Sequence, residues 1–204
     1  MTETKARLAV FISGGGTGLQ SIIDTSKRGE LAADVVWVVS SSSTAFGLER
    51  AAKAGIETFV FRAKKYLSPE EATQDILRKL SERRIDYIAL AGYLKLLPAE
   101  IVRAYPRRIL NIHPGPLPEY GGPGMYGHFV HEAVLAAREK ESGPTVHLVD
   151  EIYDHGRILE HVKVPVLEND TPETLAARVL VEEHRLYPRV IDNLIKGKYE
   201  FDDD

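Results

Sequence analysis

The sequence predicts an α/β fold: a single domain on an open, mostly parallel, twisted sheet with helices on both faces and antiparallel strand pairing toward the C-terminal part. Three observations carry that expectation. Apolar runs rich in β-branched residues alternate with longer amphipathic segments through the first half of the chain, the pattern of repeated βαβ units. A glycine-rich turn joins the first apolar run to the first amphipathic segment. The 204 residues are 44% apolar, enough for one good core and short for two, and they contain no repeat, low-complexity tract or linker.

The strands expected in order are LAVFIS (8–13), DVVWVVS (34–40), IETFVF (56–61), IDYIALAG (85–92) and RILNIH (108–113). Helical patterns fall between them near 18–28, 44–54, 68–83 and 97–104. In the third of these, Ser68 suits an N-cap, Pro69 the first turn and Glu71 the reciprocal partner of a capping box. A Gly/Pro loop at 114–127 precedes the helix-like HFVHEAVLAAREK (128–140). TVHLVDE (145–151) and RILEHVKVPV (157–166) then face each other across the turn-like YDHG, and a long helix starts at Asp170 or Thr171 with Pro172 in its first turn. The acidic FDDD end reads as a frayed tail.

Composition narrows the function classes. A net charge of −4 without a Lys/Arg stripe argues against a nucleic-acid partner. With no cysteine, disulfides and thiolate metal sites are excluded. No apolar run approaches the roughly 20 residues that span a bilayer, and the N-terminal segment reaches glycine too early for a signal-peptide core, so a soluble, cytoplasmic protein with no membrane partner is expected.

Two stretches can carry chemistry. FISGGGTGLQSII leads from a strand into a helix, where backbone N–H groups and the helix dipole suit an anion. It lacks the Lys-Ser/Thr pair of a P-loop and breaks the G-x-G-x-x-G spacing, and the second strand ends in serines rather than in an acid for a ribose. A dinucleotide is therefore disfavoured, and Thr17 among glycines suits a single terminal phosphate; a turn that binds nothing would use the same glycines. In LNIHPGPLPEY, Asn111 and His113 are two apart on a strand and so share a face at its C-terminal end, where open α/β sheets bind ligands. Pro114, Pro116 and Pro118 then stiffen the chain and can wall a cleft with little entropy left to lose.

An amide can donate to a developing oxyanion and an imidazole can move a proton near neutral pH. No Cys and no G-x-S-x-G elbow are present, so the chemistry is direct transfer or hydrolysis rather than a covalent intermediate. Asp150, Glu151 and Asp154 are candidates for the carboxylate that orients the histidine. His128 and His131 are three apart on a helix without an evident third ligand, so no metal site is expected. His147, on TVHLV, reads as a packing or loop-orienting residue.

Taken in order, FISGGGTGLQSIID, AFGLERAAKAGI, LAGYLKLLP, LNIHPGPLP, SGPTVHLVDEIYDHGRIL and ETLAARVLVEEHRLYP make the chain resemble the phosphoribosylglycinamide formyltransferases over nearly its full length. The resemblance implies a Rossmann-like formyltransferase fold in one domain, 1–204, with a phosphate-binding half (1–107) and a catalytic and folate-binding half (108–204). It implies formyl transfer from 10-formyltetrahydrofolate to the amine of glycinamide ribonucleotide in purine biosynthesis, with the folate as co-substrate, no tightly bound cofactor, and a monomer or homodimer. By position, Asn111 polarises the formyl carbonyl, His113 assists as general acid and Asp154 raises its pKa. Gly16, Thr17 and Gly18 hold the phosphate; Leu180, Val181, Glu182 and Glu183 meet the rest of the acceptor, Glu183 at its ribose hydroxyls. Leu94, Lys95, Leu96 and Leu97, with Asp150, Glu151, Ile152 and Tyr153, surround the pterin. Pro69 and Lys95 stand where the family usually carries Arg, and the loop 121–131 is longer than usual. A formyltetrahydrofolate hydrolase and a non-catalytic phosphate-ligand-binding domain are the alternatives.

Overall fold

The computed structural model describes residues 4–201. Five parallel strands come first: β1 (Ala6–Ile12), β2 (Ala33–Ser40), β3 (Glu57–Val60), β4 (Tyr87–Leu90) and β5 (Ile109–His113). The helices between them are α1 (Thr17–Lys27), α2 (Gly47–Lys53), α3 (Pro69–Glu82) and α4 (Ala99–Ala104). After α5 (His128–Ala136) come β6 (Glu141–Ser142), β7 (Thr145–Leu148), β8 (Ile158–His161), β9 (Val164–Pro165) and the 24-residue α6 (Pro172–Ile195). The main sheet has seven strands in the order β3-β2-β1-β4-β5-β7-β8, with β7 antiparallel to both β5 and β8.

β1 shows why both sheet faces are covered. Its residues alternate between two cores: Leu8, Val10 and Ile12 pack with Leu19 and Ile22 of α1 and with Leu186, Val190 and Ile191 of α6, while Ala9 and Phe11 pack with Ile76 and Leu80 of α3 and Ile101 of α4. All of these are fully buried or nearly so. At about 1.5 to 3 kcal/mol per large buried apolar side chain, β1 is fixed from both sides, and with it the turn that follows. A third cluster joins α5 to the first half of α6 through Val130, Val134, Leu175 and Val179.

Several local expectations change in the structure. Ser68 does cap α3, accepting from the Glu71 N–H at 3.2 Å, but the Glu71 carboxylate reaches the N–H of Leu67 (2.8 Å) and not that of the cap residue. The reciprocal box is instead at α6, where Thr171 and Thr174 exchange hydrogen bonds of 2.9 and 3.3 Å. α5 ends at Ala136, short of the pattern through 140, because Arg138 turns to φ 56 and Glu141–Ser142 pair with Val164–Pro165. That same pairing takes the second half of RILEHVKVPV out of the main sheet. Of the expected acidic tail, residues 202–204 lie outside the described residues.

The chain order reverses direction across the sheet at β1, whose neighbours are β2 and β4. In open α/β sheets such a switch point leaves a crevice at the strand C-termini. The loops after β1, β4 and β5 all open there.

Candidate active site

A cavity of about 760 Å³ occupies that crevice, lined at one end by Gly14 to Gly18 and at the other by Asn111, His113, His147 and Asp154. Leu94 to Leu97, Asp150, Ile152 and Tyr153 form a largely apolar wall, and Leu180 and Glu183 of α6 face them.

The Asn111 end is assembled across strands. Asn111 and His147 are direct partners in the antiparallel β5–β7 ladder, so their side chains stand on one face. The Asn111 amide nitrogen lies 3.1 Å from His147 Nε2 and 3.2 Å from Asp154 Oδ1. His147 Nδ1 donates to the Leu148 carbonyl at 2.7 Å, and its Nε2 faces both the Asn111 amide and, at 3.5 Å, Asp154 Oδ1. Asp154 sits at φ 53, a left-handed conformation that Asp tolerates better than most residues, and this turns its carboxylate back toward β5. Its Oδ2 accepts from the Gly122 N–H at 3.0 Å and stands 3.6 Å from His113 Nδ1. His113 Nε2 donates to the Tyr120 carbonyl at 2.7 Å, so the proline-rich loop, whose Leu117–Pro118 bond is cis, fixes the ring from behind.

Burial decides the charge state. His113 is 3% exposed, and desolvation lowers its pKa below 6.5; the attraction of Asp154 and the Tyr120 hydrogen bond oppose this without reversing it. Asp154 thus raises the pKa of His113, as expected from its position, but burial outweighs that attraction and the net shift is downward. Desolvation also pushes Asp154 upward, but its contacts with His147, His113 and the Gly122 N–H outweigh that and hold the carboxyl below 3.8. The resting pair near pH 7 is thus a neutral imidazole facing a carboxylate.

At the opposite end, Gly16 caps α1 at φ 71 and no side chain caps the helix. The first-turn N–H groups of an uncapped helix are available to an anion. Glu183 has only burial acting on it, which raises its carboxyl from 4.5 to about 7.

The expected site residues are not all on the cavity wall. Gly16, Thr17, Gly18, Leu94, Lys95, Leu96, Leu97, Asp150, Ile152, Tyr153, Leu180 and Glu183 line it with Asn111, His113 and Asp154. Val181 is 49% exposed, Glu182 pairs with Arg185 at 2.9 Å, and Glu151 pairs with Arg103 at 2.8 Å; none of these three side chains lines it. Conversely, His147 belongs to the site although its strand reads as packing. His131, buried and lining the cavity, has Nδ1 without a hydrogen-bond partner among the described residues. Ser13 ties the walls together: its Oγ is 2.7 Å from Ser41 Oγ and accepts from the Leu94 N–H at 2.9 Å.

The formyl transferase family model matches residues 6–191 of the chain. The chain is 49% identical to a chloroplastic phosphoribosylglycinamide formyltransferase of Vigna unguiculata, covering 97% of this chain and 64% of that protein, so it spans just under two thirds of that relative's length. It is 38% identical to the phosphoribosylglycinamide formyltransferase of Haemophilus influenzae, covering 97% of this chain and 91% of that one. Among solved structures, glycinamide ribonucleotide transformylase 1 from Symbiobacterium toebii superposes with a TM-score of 0.91 at 37% identity, covering 98% of this chain and 92% of that one.

Proposed function

This chain belongs to the formyl transferase family, and we propose that it transfers the formyl group of 10-formyltetrahydrofolate to the amine of glycinamide ribonucleotide, releasing tetrahydrofolate. The observation that carries this reading is one cavity with an amide, an imidazole and a carboxylate converging at one end and an uncapped, glycine-rich helix start at the other.

The acceptor's phosphate lies on Gly16 to Gly18, its ribose against Glu183, and the folate along the apolar wall from Leu94 to Leu97 and Asp150 to Tyr153. The amine attacks the formyl carbon and forms a C–N bond. Asn111 exchanges its contact with Asp154 Oδ1 for the developing oxyanion, a donor acting where charge appears. The neutral His113 accepts the proton shed by the amine, and the Asp154 carboxylate stabilises the imidazolium while it lasts. Collapse breaks the bond to the folate nitrogen, which receives that proton. Folate is consumed as a co-substrate, and these steps ask for no resident cofactor. A cytoplasmic setting and a monomer or homodimer belong to the same reading.

Purified protein incubated with 10-formyltetrahydrofolate, with and without glycinamide ribonucleotide, tests it. Formylated product that requires both reactants supports the transferase. Formyl loss without acceptor would make the protein a hydrolase, and no loss in either mixture would leave a ligand-binding domain. Asn111→Ala should lower turnover by about 10² to 10³, the usual effect of losing an oxyanion donor, with the fold intact.

A further inference from the structure

The glycine-rich turn does not hold its shape alone. The start of α2 packs against it so closely that a Cβ built on Gly16 would stand 2.6 Å from Gly47 Cα, and one on Gly47 would stand 2.4 Å from Ile12 Cδ1. The Gly47 N–H donates to the Gly14 carbonyl at 3.1 Å, and Arg50 Nε donates to the Gly15 carbonyl at 2.9 Å. Arg50 is itself held over the Phe46 ring, 5.0 Å from its centroid, with Nη1 3.4 Å from Gln20 Oε1 of α1.

The consequence follows from peptide geometry. In a trans peptide the carbonyl and the following N–H point in opposite directions. Drawing the carbonyls of Gly14 and Gly15 toward α2 therefore turns the N–H groups of Gly15 and Gly16 away from it. Neither N–H donates to a protein acceptor among the described residues, and both glycines line the cavity. An anion approaching this turn meets these two N–H donors, with the carbonyls of Gly14 and Gly15 turned toward α2.

We propose that Arg50 is a positioning residue for phosphate: by holding the Gly15 carbonyl behind the turn, it orients the Gly16 N–H toward the phosphoryl end of the acceptor, beside the Gly15 N–H that Gly47 orients through the Gly14 carbonyl. It does not line the cavity and acts through the loop. The inference rests on the transferase reading for the identity of the acceptor, but not for the presence of an anion site.

The experiment compares the unvaried protein with Arg50→Ala and Arg50→Lys, the latter keeping charge and stem without the planar fork. KM is measured separately for glycinamide ribonucleotide, for its phosphate-free riboside and for the formyl donor, and inorganic phosphate is titrated calorimetrically without turnover. Loss of a hydrogen bond from a charged donor predicts a rise of about tenfold to a hundredfold in acceptor KM for Arg50→Ala, a smaller rise for Arg50→Lys, and parallel weakening of inorganic phosphate. Donor KM and kcat should stay within about threefold, and the variants should match the unvaried protein on the riboside. An unchanged acceptor KM, or an equal loss on the riboside, overturns the proposal. Should no formylated product form at all, the phosphate titration decides alone: Arg50-dependent binding keeps the cradle while the transferase reading falls, and Arg50-independent binding or none discards the cradle.

Discussion

Glu183→Gln should make the protein more stable above neutral pH and have little effect near pH 5. The carboxyl of Glu183 is raised from 4.5 to about 7 by burial alone, and it makes no ion pair among the described residues. Above pH 7 it is ionised in both the folded and the unfolded chain, so the full desolvation cost falls on the native state. As pH drops from 7 toward 4.5 the native state takes up a proton that the unfolded state does not yet hold, and the cost disappears. The interval from 4.5 to about 7, at about 1.4 kcal/mol for each pH unit, comes to about 3 kcal/mol. Because one side of Glu183 faces the open cavity, solvent trims this to about 2 to 3 kcal/mol. Glutamine keeps the shape and carries no charge, so at pH 8 the variant should melt higher by roughly 5 to 10 °C for a chain of this size. Thermal unfolding of both proteins from pH 5 to pH 8.5 is the assay. The two Tm curves should converge at the acid end; parallel curves, or a variant less stable at pH 8, would refute the assignment of burial as the dominant influence. The same carboxylate is the proposed handle for the ribose, so the stabilised variant should bind the acceptor less well, a trade of stability for function.

Three further outcomes are expected. Asp154→Asn should lower kcat by about 10² to 10⁴, and by removing the attraction that opposes desolvation it should move the acid limb of the pH–rate profile, set by His113, to lower pH; a shift to higher pH would contradict the geometry. His147→Phe fills the strand position but removes the Nε2 partner of Asn111, so kcat should fall by up to about 100-fold with acceptor KM nearly unchanged, and full activity would return His147 to a packing role. Tyr187→Phe should cost about 1 to 3 kcal/mol in urea unfolding, because the hydroxyl is shared between the Leu90 and Leu110 carbonyls at 2.9 Å each and both are buried.

Most of the framework was legible because it is written in local pattern. β1 to β5 and their helices follow hydrophobic alternation and punctuation, and each expected strand has its counterpart within a few residues. What escaped depends on pairing across the chain. His147 reads as one more side chain on an apolar strand until the β5–β7 register sets it opposite Asn111. The short β6–β9 ladder leaves no periodic signature in two residues. The neutral state of His113 follows from how deeply the Tyr120 loop covers it, a depth that a motif of Asn, His and prolines does not encode.

Tyr187 follows Glu183 by four positions on α6, and its hydroxyl ends on the carbonyl of Leu110, the residue before Asn111. One helix thus acts as a strut whose foot stands on β5 and whose adjacent turn carries the contact proposed for the sugar. The span between amine and handle is then a dimension of the scaffold, set at folding. Variants that accept longer or shorter nucleophiles should arise by refashioning the rim loops at 119–127 and 150–156, because no single replacement on α6 can lengthen one end of that gauge without unseating the other.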